Sequence, residues 1–215
     1  MTSGLSSSSS AGRDQAESEN AIQDTPHAAL RRDTRAWHDR VEAGFAPFDL
    51  QQIDGLTGFL RRQAMAVLPL EHELDRMGIC DLVPDWPQRR RGDALLADLE
   101  QLGSARPAPT AAIVLPSRLH ALGALYVLEG SRLGGRVLAR RVASSPDPRV
   151  RTAVRFLTHR LDKGWSTFLA TLDAVPPTSA KLACLRDGAT KAFSLFDTAP
   201  DEIAPRSGLV HFDNA

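Results

Sequence analysis

Cysteine is scarce: Cys80 and Cys184 are the only two in 215 residues. They lie far apart and form no CxxC pair, which excludes a disulfide framework and fits a reducing compartment. Charge of one sign is not in excess, since Lys plus Arg and Asp plus Glu both total 26. A net charge of zero lacks the basic footprint of a nucleic-acid binder or of a protein that sits on an anionic membrane. No run of about 18 apolar residues occurs, so no transmembrane helix is expected. The opening MTSGLSSSSSAGRDQAESENAIQD has no apolar core and reads as neither secretory signal nor anchor. Nucleotide and hydrolase motifs are missing too: there is no GxGxxG, no Walker A loop and no G-x-S-x-G elbow. Glu-x-x-His is absent, which sets aside a di-iron carboxylate bundle. Strand signals are weak, with no sustained alternation and only one Tyr and eight Phe. A cytoplasmic protein is the expectation.

What is present is helical periodicity. Leu30, Trp37, Val41 and Phe45 form a stripe that predicts a helix of about four turns. A second helix is expected from about Leu56 to Met77, bent by Pro69. A third is expected from Pro87 to Leu102, capped by Asp85 and stopped at Gly103. RPAPT (106–110) interrupts, and Pro116-Ser117 opens a glycine-bearing helix over 119–142. After the turn cluster SSPDP (144–148), helices are expected over 150–172 and 178–197, separated by VPP (175–177). The reading is all-α, six to eight helices in one domain over 26–198. It is preceded by a disordered serine-rich leader (1–25) and followed by a loosely ordered tail (199–215).

Two helices carry the chemistry. LHALGALYVLEGSRLGGRVLARRV (119–142) holds Gly123, Gly130, Gly134 and Gly135, although each interior glycine costs a helix about 1 kcal/mol relative to alanine. The first three are spaced to share a face, and the last three lie where a helix can kink. Either the bare backbone packs against another helix, or it admits a flat, rigid ligand. The earlier helix, LRRDTRAWHDRVEAGF (30–45), places Thr34, His38 and Glu42 at i, i+4, i+8. His38 is either a hydrogen-bonded histidine beside the core or a ligand to a metal-centred group, its tautomer set by Glu42. Arg31 and Arg35 reach the same edge and would suit a ligand with carboxylates; otherwise they are a solvated face. The basic run QRRR (88–91) reads as a solvated helix face. His27 and His72 read as surface residues, His120 lies too far from Gly130 for contact with a shared metal, and His159 and His211 have no assignable partner.

TRAWHDRVE (34–42), followed about ninety residues later by YVLEGSRLGG (126–135), resembles the heme oxygenases, most closely their bacterial phytochrome-associated branch. The likeness spans roughly residues 28 to 198. It implies a single-domain heme oxygenase-like helical bundle with a kinked, glycine-rich distal helix. It implies that His38 is the axial ligand to heme iron, with Glu42 as its partner. Arg35 and Arg31 would meet the heme propionates, and Gly130 and Gly134 would close bare backbone over the iron. A histidine is a common axial ligand to heme. The reaction implied consumes heme, O2 and electrons and releases biliverdin, carbon monoxide and ferrous iron. The electrons would come from an external reductase or ferredoxin-type donor, and a phytochrome would be an acceptor of the product. The chain departs from the common pattern at Ser131, where many heme oxygenases carry aspartate. Serine can hold a water but supplies no carboxylate; the catalytic positions that the resemblance implies are Gly130, Ser131 and Gly134, with Arg132 beside them as a further contributor. The alternatives are a heme-binding carrier or sensor that does not degrade heme, and a helical interaction module whose glycines only pack.

Overall fold

Regular structure among the described residues is entirely helical, with no strand. The computed structural model describes residues 24–108, 112–159 and 161–197. The expected leader, apart from its last residues, and the expected tail lie outside them, as does His211.

The stretch expected to be one helix over 30–45 is two: α1 (Pro26–Asp33) and α2 (Arg35–Phe45). Thr25 caps α1 by accepting from the Ala28 amide, with Pro26 in the first position. At the junction, the Thr34 hydroxyl donates to the Leu30 carbonyl at 2.7 Å. Such back-bonding offers the backbone an alternative to the helix ladder and bends it. The long α3 (Ile53–Arg76) runs through Pro69. It sends Leu56, Leu60, Val67, Leu70 and Leu74 into the core at full burial, the 3.6-residue stripe expected of a helix covered on one side.

A single helix over 87–102 is also not what forms. It is α4 (Trp86–Arg89) and α5 (Gly92–Gln101), because the carboxylate of Glu71 accepts the amide hydrogens of Arg91 and Gly92 at 2.6 and 3.1 Å. Those amides cannot then belong to a continuous ladder. Asp85 makes no side-chain cap; its carboxylate receives the guanidinium of Arg89 instead, at 2.7 Å.

The glycine helix is α6 (Arg118–Ser131), which ends in a turn before α7 (Gly135–Ala143). The stretch 150–172 divides into the tail of α8 (Pro148–Thr152), then α9 (Arg155–Thr158) and α10 (Gly164–Asp173). The buried carboxylate of Asp98 accepts the Phe156 amide at 2.8 Å, which fixes the start of α9 against α5. The last element, α11 (Ser179–Asp197), lies along α6.

Glycine makes that last contact intimate. A Cβ on Gly123 would stand 1.9 Å from the carbonyl oxygen of Leu185, and one on Gly188 would stand 2.0 Å from that of His120. The two backbones touch where neither helix has a side chain, so close packing explains Gly123. Gly135 is similar, its Cβ falling 2.5 Å from the Leu157 carbonyl oxygen. Gly123→Ala is therefore expected to destabilise the chain by at least about 1–3 kcal/mol through overpacking. Gly130→Ala, with open space around it, is expected to change stability by no more than a gain of about 1 kcal/mol. Urea denaturation of the two heme-free variants separates these outcomes.

Candidate functional site

The two sequence motifs meet at the α1–α2 junction. Burial pushes the Tyr126 phenol of α6 upward, and the Thr34 hydroxyl beside it and the nearby Arg31 pull it back. Thr34 is itself buried, so the junction is anchored to α6 at this point. His38 lies one turn further along α2, and Gly130 one turn further along α6. The ring of His27 stands 6.1 Å from Tyr126 and 5.9 Å from Trp165. His27 is thus part of an aromatic cluster behind the junction, not a free surface residue.

His38 is 66% exposed, and its Nδ1 is 3.7 Å from both Glu42 and Asp39. Both carboxylates lie beyond hydrogen-bond distance of the ring; Glu42 stands near it through the i, i+4 spacing and Asp39 is an addition. Glu42, Arg35 and Arg31 are exposed, and Arg35 reaches Asp39 at 3.9 Å. None of the residues of α2 is buried; Trp37, Val41 and Phe45 rest partly on the core.

On the other side, the glycines separate into two kinds. A Cβ at Gly130 or at Gly134 would meet nothing within 4 Å, in contrast to Gly123 and Gly135. So the three glycines that share a spacing do not share a role. Leu133 and Val137, next to the turn, are 58% and 59% exposed, leaving apolar surface beside the open glycine backbone. The turn itself is tight, with Arg132, Leu133 and Gly135 amides bonding three residues back.

Beneath the turn lies a buried charge cluster for which the sequence reading had no place. The run QRRR is a solvated face only at Gln88 and Arg90: Arg89 and Arg91 are almost wholly buried, and Arg90 pairs with Asp75 at 3.4 Å. Arg89 donates to the buried Glu129 at 2.8 Å and to the Gly164 carbonyl at 2.9 Å. Arg132 joins Glu129 at 3.0 Å. Arg91 donates to the Leu128 carbonyl at 3.1 Å and to Ser131 Oγ at 2.6 Å. Burial, reinforced by the charge on Arg132, holds the Arg91 guanidinium down at about 9. A cavity of about 120 Å³ adjoins the cluster, lined by Glu129, Arg132, Leu133, Arg136, Gly164 and Trp165. The only sequence signal for all this was three consecutive arginines, a pattern far more frequent on surfaces.

Arg132 Nη1 also lies 3.2 Å from His159 Nδ1. A guanidinium only donates, so this ring nitrogen accepts and the imidazole is neutral. Burial, and then the charges of Arg132 and Arg91, hold the His159 imidazole below its ordinary range.

No protein-family model matches the chain. Its fold is shared with the heme oxygenase of Neisseria meningitidis, whose NO- and CO-bound crystal structures superpose with a TM-score of 0.61. That match covers 85% of this chain and 98% of that one, at 24% identity. Sequence similarity then supplies the family. A heme oxygenase of Xanthomonas campestris is 34% identical over 144 residues, covering 65% of this chain and 84% of that protein. The heme oxygenase PigA of Pseudomonas aeruginosa is 28% identical over 152 residues, covering 66% and 74%. The chain belongs to the heme oxygenase family.

Two predictions follow from the charge cluster. Glu71→Ala leaves two buried amide hydrogens without an acceptor and is expected to lower stability by roughly 2–6 kcal/mol, at 1–3 per orphaned donor, as read by urea denaturation. For His159 the folded chain binds fewer protons than the unfolded one. Its contribution is present above the unfolded value of about 6.5 and lost as pH falls from there through the depressed folded value. Melting temperature should drop across that window in the parent chain, and His159→Gln should flatten the drop; parallel curves would contradict this assignment.

Proposed function

We propose that the chain is a heme oxygenase that cleaves heme to biliverdin, carbon monoxide and ferrous iron. It would use O2 and electrons from an external reductase or ferredoxin-type donor. The observation that carries this reading is the division among the glycines. Packing accounts for Gly123 and Gly135, whereas Gly130 and Gly134 face open space at a tight turn, with exposed Leu133 and Val137 beside them. A helix that accepts the glycine penalty where no neighbour requires it fits a flat ligand.

The residues present suit that ligand. His38 offers an exposed imidazole to the iron, and the Glu42 carboxylate, 3.7 Å from its Nδ1 and so not hydrogen-bonded to it, lies beside that edge of the ring and leaves Nε2 to ligate. Arg31 and Arg35 are exposed and can meet propionates at the rim. Leu133 and Val137 supply apolar surface for the porphyrin face, from which they exclude water. Heme itself is the substrate and brings the redox-active iron; the protein supplies ligation, orientation and water placement. Ser131 keeps a hydroxyl at the position next to Gly130, tied to Leu128 and Arg91. A place in the phytochrome-associated branch, with a phytochrome as acceptor of biliverdin, rests on the likeness of the two sequence motifs. Among the described residues no helix is long and apolar enough to cross a membrane, which agrees with a cytoplasmic site of action.

An anaerobic hemin titration, followed by air and a reductant, tests the proposal. One heme per chain is expected to bind, lose its visible bands and give a bilin spectrum. His38→Ala should weaken binding by about tenfold or more, the scale of losing a ligand interaction worth at least 1.4 kcal/mol. Its melting temperature without heme should match the parent's, because the side chain is exposed. A bound heme whose bands persist through repeated reduction in air would instead make the chain a carrier or sensor.

A further inference from the structure

Arg91 is placed with more care than a packing role needs. Its amide is fixed by Glu71 at 2.6 Å, and its guanidinium lies 4.5 Å from the centre of the Phe156 ring. The residue is 4% exposed, yet none of the ion pairs among the described residues uses its guanidinium. A buried guanidinium is costly without a carboxylate opposite it. Arg91 instead directs Nη2 at two oxygens one turn apart in their backbone, the Leu128 carbonyl and Ser131 Oγ. Those two oxygens are themselves joined, since the Ser131 hydroxyl donates to the Leu128 carbonyl at 2.7 Å. The triangle closes on the last turn of α6, immediately beside Gly130 and immediately before the turn that carries Gly134.

The geometry also decides what Ser131 can do. A hydroxyl has one hydrogen and two lone pairs. Here the hydrogen is committed to Leu128 and one lone pair to Arg91, so one lone pair is left. Ser131 can then accept a hydrogen bond from a water but cannot give one. The residue is exposed and the hydrogen bonds of its hydroxyl are part-buried, so that lone pair is the one position of the hydroxyl left for a water.

We propose that Arg91 is a positioning residue of the heme site. It clamps Leu128 and Ser131, which sets the Gly130–Gly134 turn and holds Ser131 as a pure acceptor that orients water beside the substrate. This rests on the reading of heme as the substrate. Arg91 touches no reacting atom and acts through Ser131.

The test is a double-mutant cycle with Arg91→Met, Ser131→Ala and both together, plus Arg91→Lys, which keeps the charge and loses the planar fork. Two readouts other than turnover are taken. The first is amide hydrogen exchange of residues 132–135 in the heme-free chain. The second is the pH midpoint of the visible spectral change of the ferric heme-loaded chain. Arg91→Met is expected to speed exchange at the turn by about tenfold, while the double variant exceeds it little, since partners in one network are not additive. Arg91→Met and Ser131→Ala are each expected to move the spectral midpoint by about half a pH unit or more in the same direction. Arg91→Lys should fall between, and if Arg91→Met does not fold, Arg91→Lys takes its place in the cycle. An Arg91 effect of the same size with and without the Ser131 hydroxyl overturns the proposal, as does an unmoved midpoint. Failure of the parent chain to bind heme at all would overturn the functional reading and this proposal with it. Normal heme binding with an additive cycle would overturn this proposal alone.

Discussion

One carboxylate in the core governs the distal half of the molecule. Glu71 accepts the amides of Arg91 and Gly92, and in doing so it breaks what would otherwise be a single helix. Its own burial pushes it upward, and the two amides together with Arg91 and Arg90 pull it back. The break lies between Arg89, at the end of α4, and Arg91, and both arginines are buried beneath the end of α6. Asp98 and Glu73 serve the same purpose elsewhere, accepting the amides of Phe156 and Leu115. A buried amide with no acceptor costs about 1–3 kcal/mol, so these three carboxylates each hold one irregular stretch in place. Arg62 provides the complement at helix C-termini, donating to the carbonyls of Gly44 and Phe196.

Glycine answers two opposite demands in one helix. At Gly123 the backbone of α11 comes so close that no Cβ fits, and dense packing there fixes α6 against the core. Seven residues later, Gly130 borders open space. The first glycine makes α6 rigid and the second keeps its surface bare. A ligand-binding face is more exact when it stands on a rigid element, and the α6–α11 contact provides that support.

Zero net charge conceals a strongly uneven interior. Arg89, Arg91 and Arg132 gather around Glu129 with Glu71 and Asp85 nearby, and His159 stays neutral at the edge. In a medium of low polarity such a cluster is stable only when its hydrogen bonds are nearly all made. That requirement holds the end of α6 in one arrangement. By contrast α2, the helix with His38, buries none of its residues, so the two helices of the candidate site differ in how firmly they are held.

Several features were legible from residues alone because they depend on local chemistry. Helical periodicity made the all-α fold readable, the Thr-His-Glu spacing made His38 and Glu42 candidates, and the cost of glycine in a helix drew attention to 123–135. The break at Arg90–Arg91 and the start of α9 were not legible, because the groups that fix them, Glu71 and Asp98, are far away in the chain; the break at Thr34 rests on a local bond to the Leu30 carbonyl that a helical threonine can make without ending its helix. The roles of the glycines were hidden for a similar reason: spacing puts Gly123 and Gly130 on one face, but only the position of α11 decides which of them is covered. The arginines of 88–91 read as surface because charge is expensive to bury. Sequence thus determined the helices and the residue types able to meet a heme. Tertiary structure decided which backbone is bare, which arginines are inside and what Ser131 can accept, since each of these depends on partners brought together only when the chain folds.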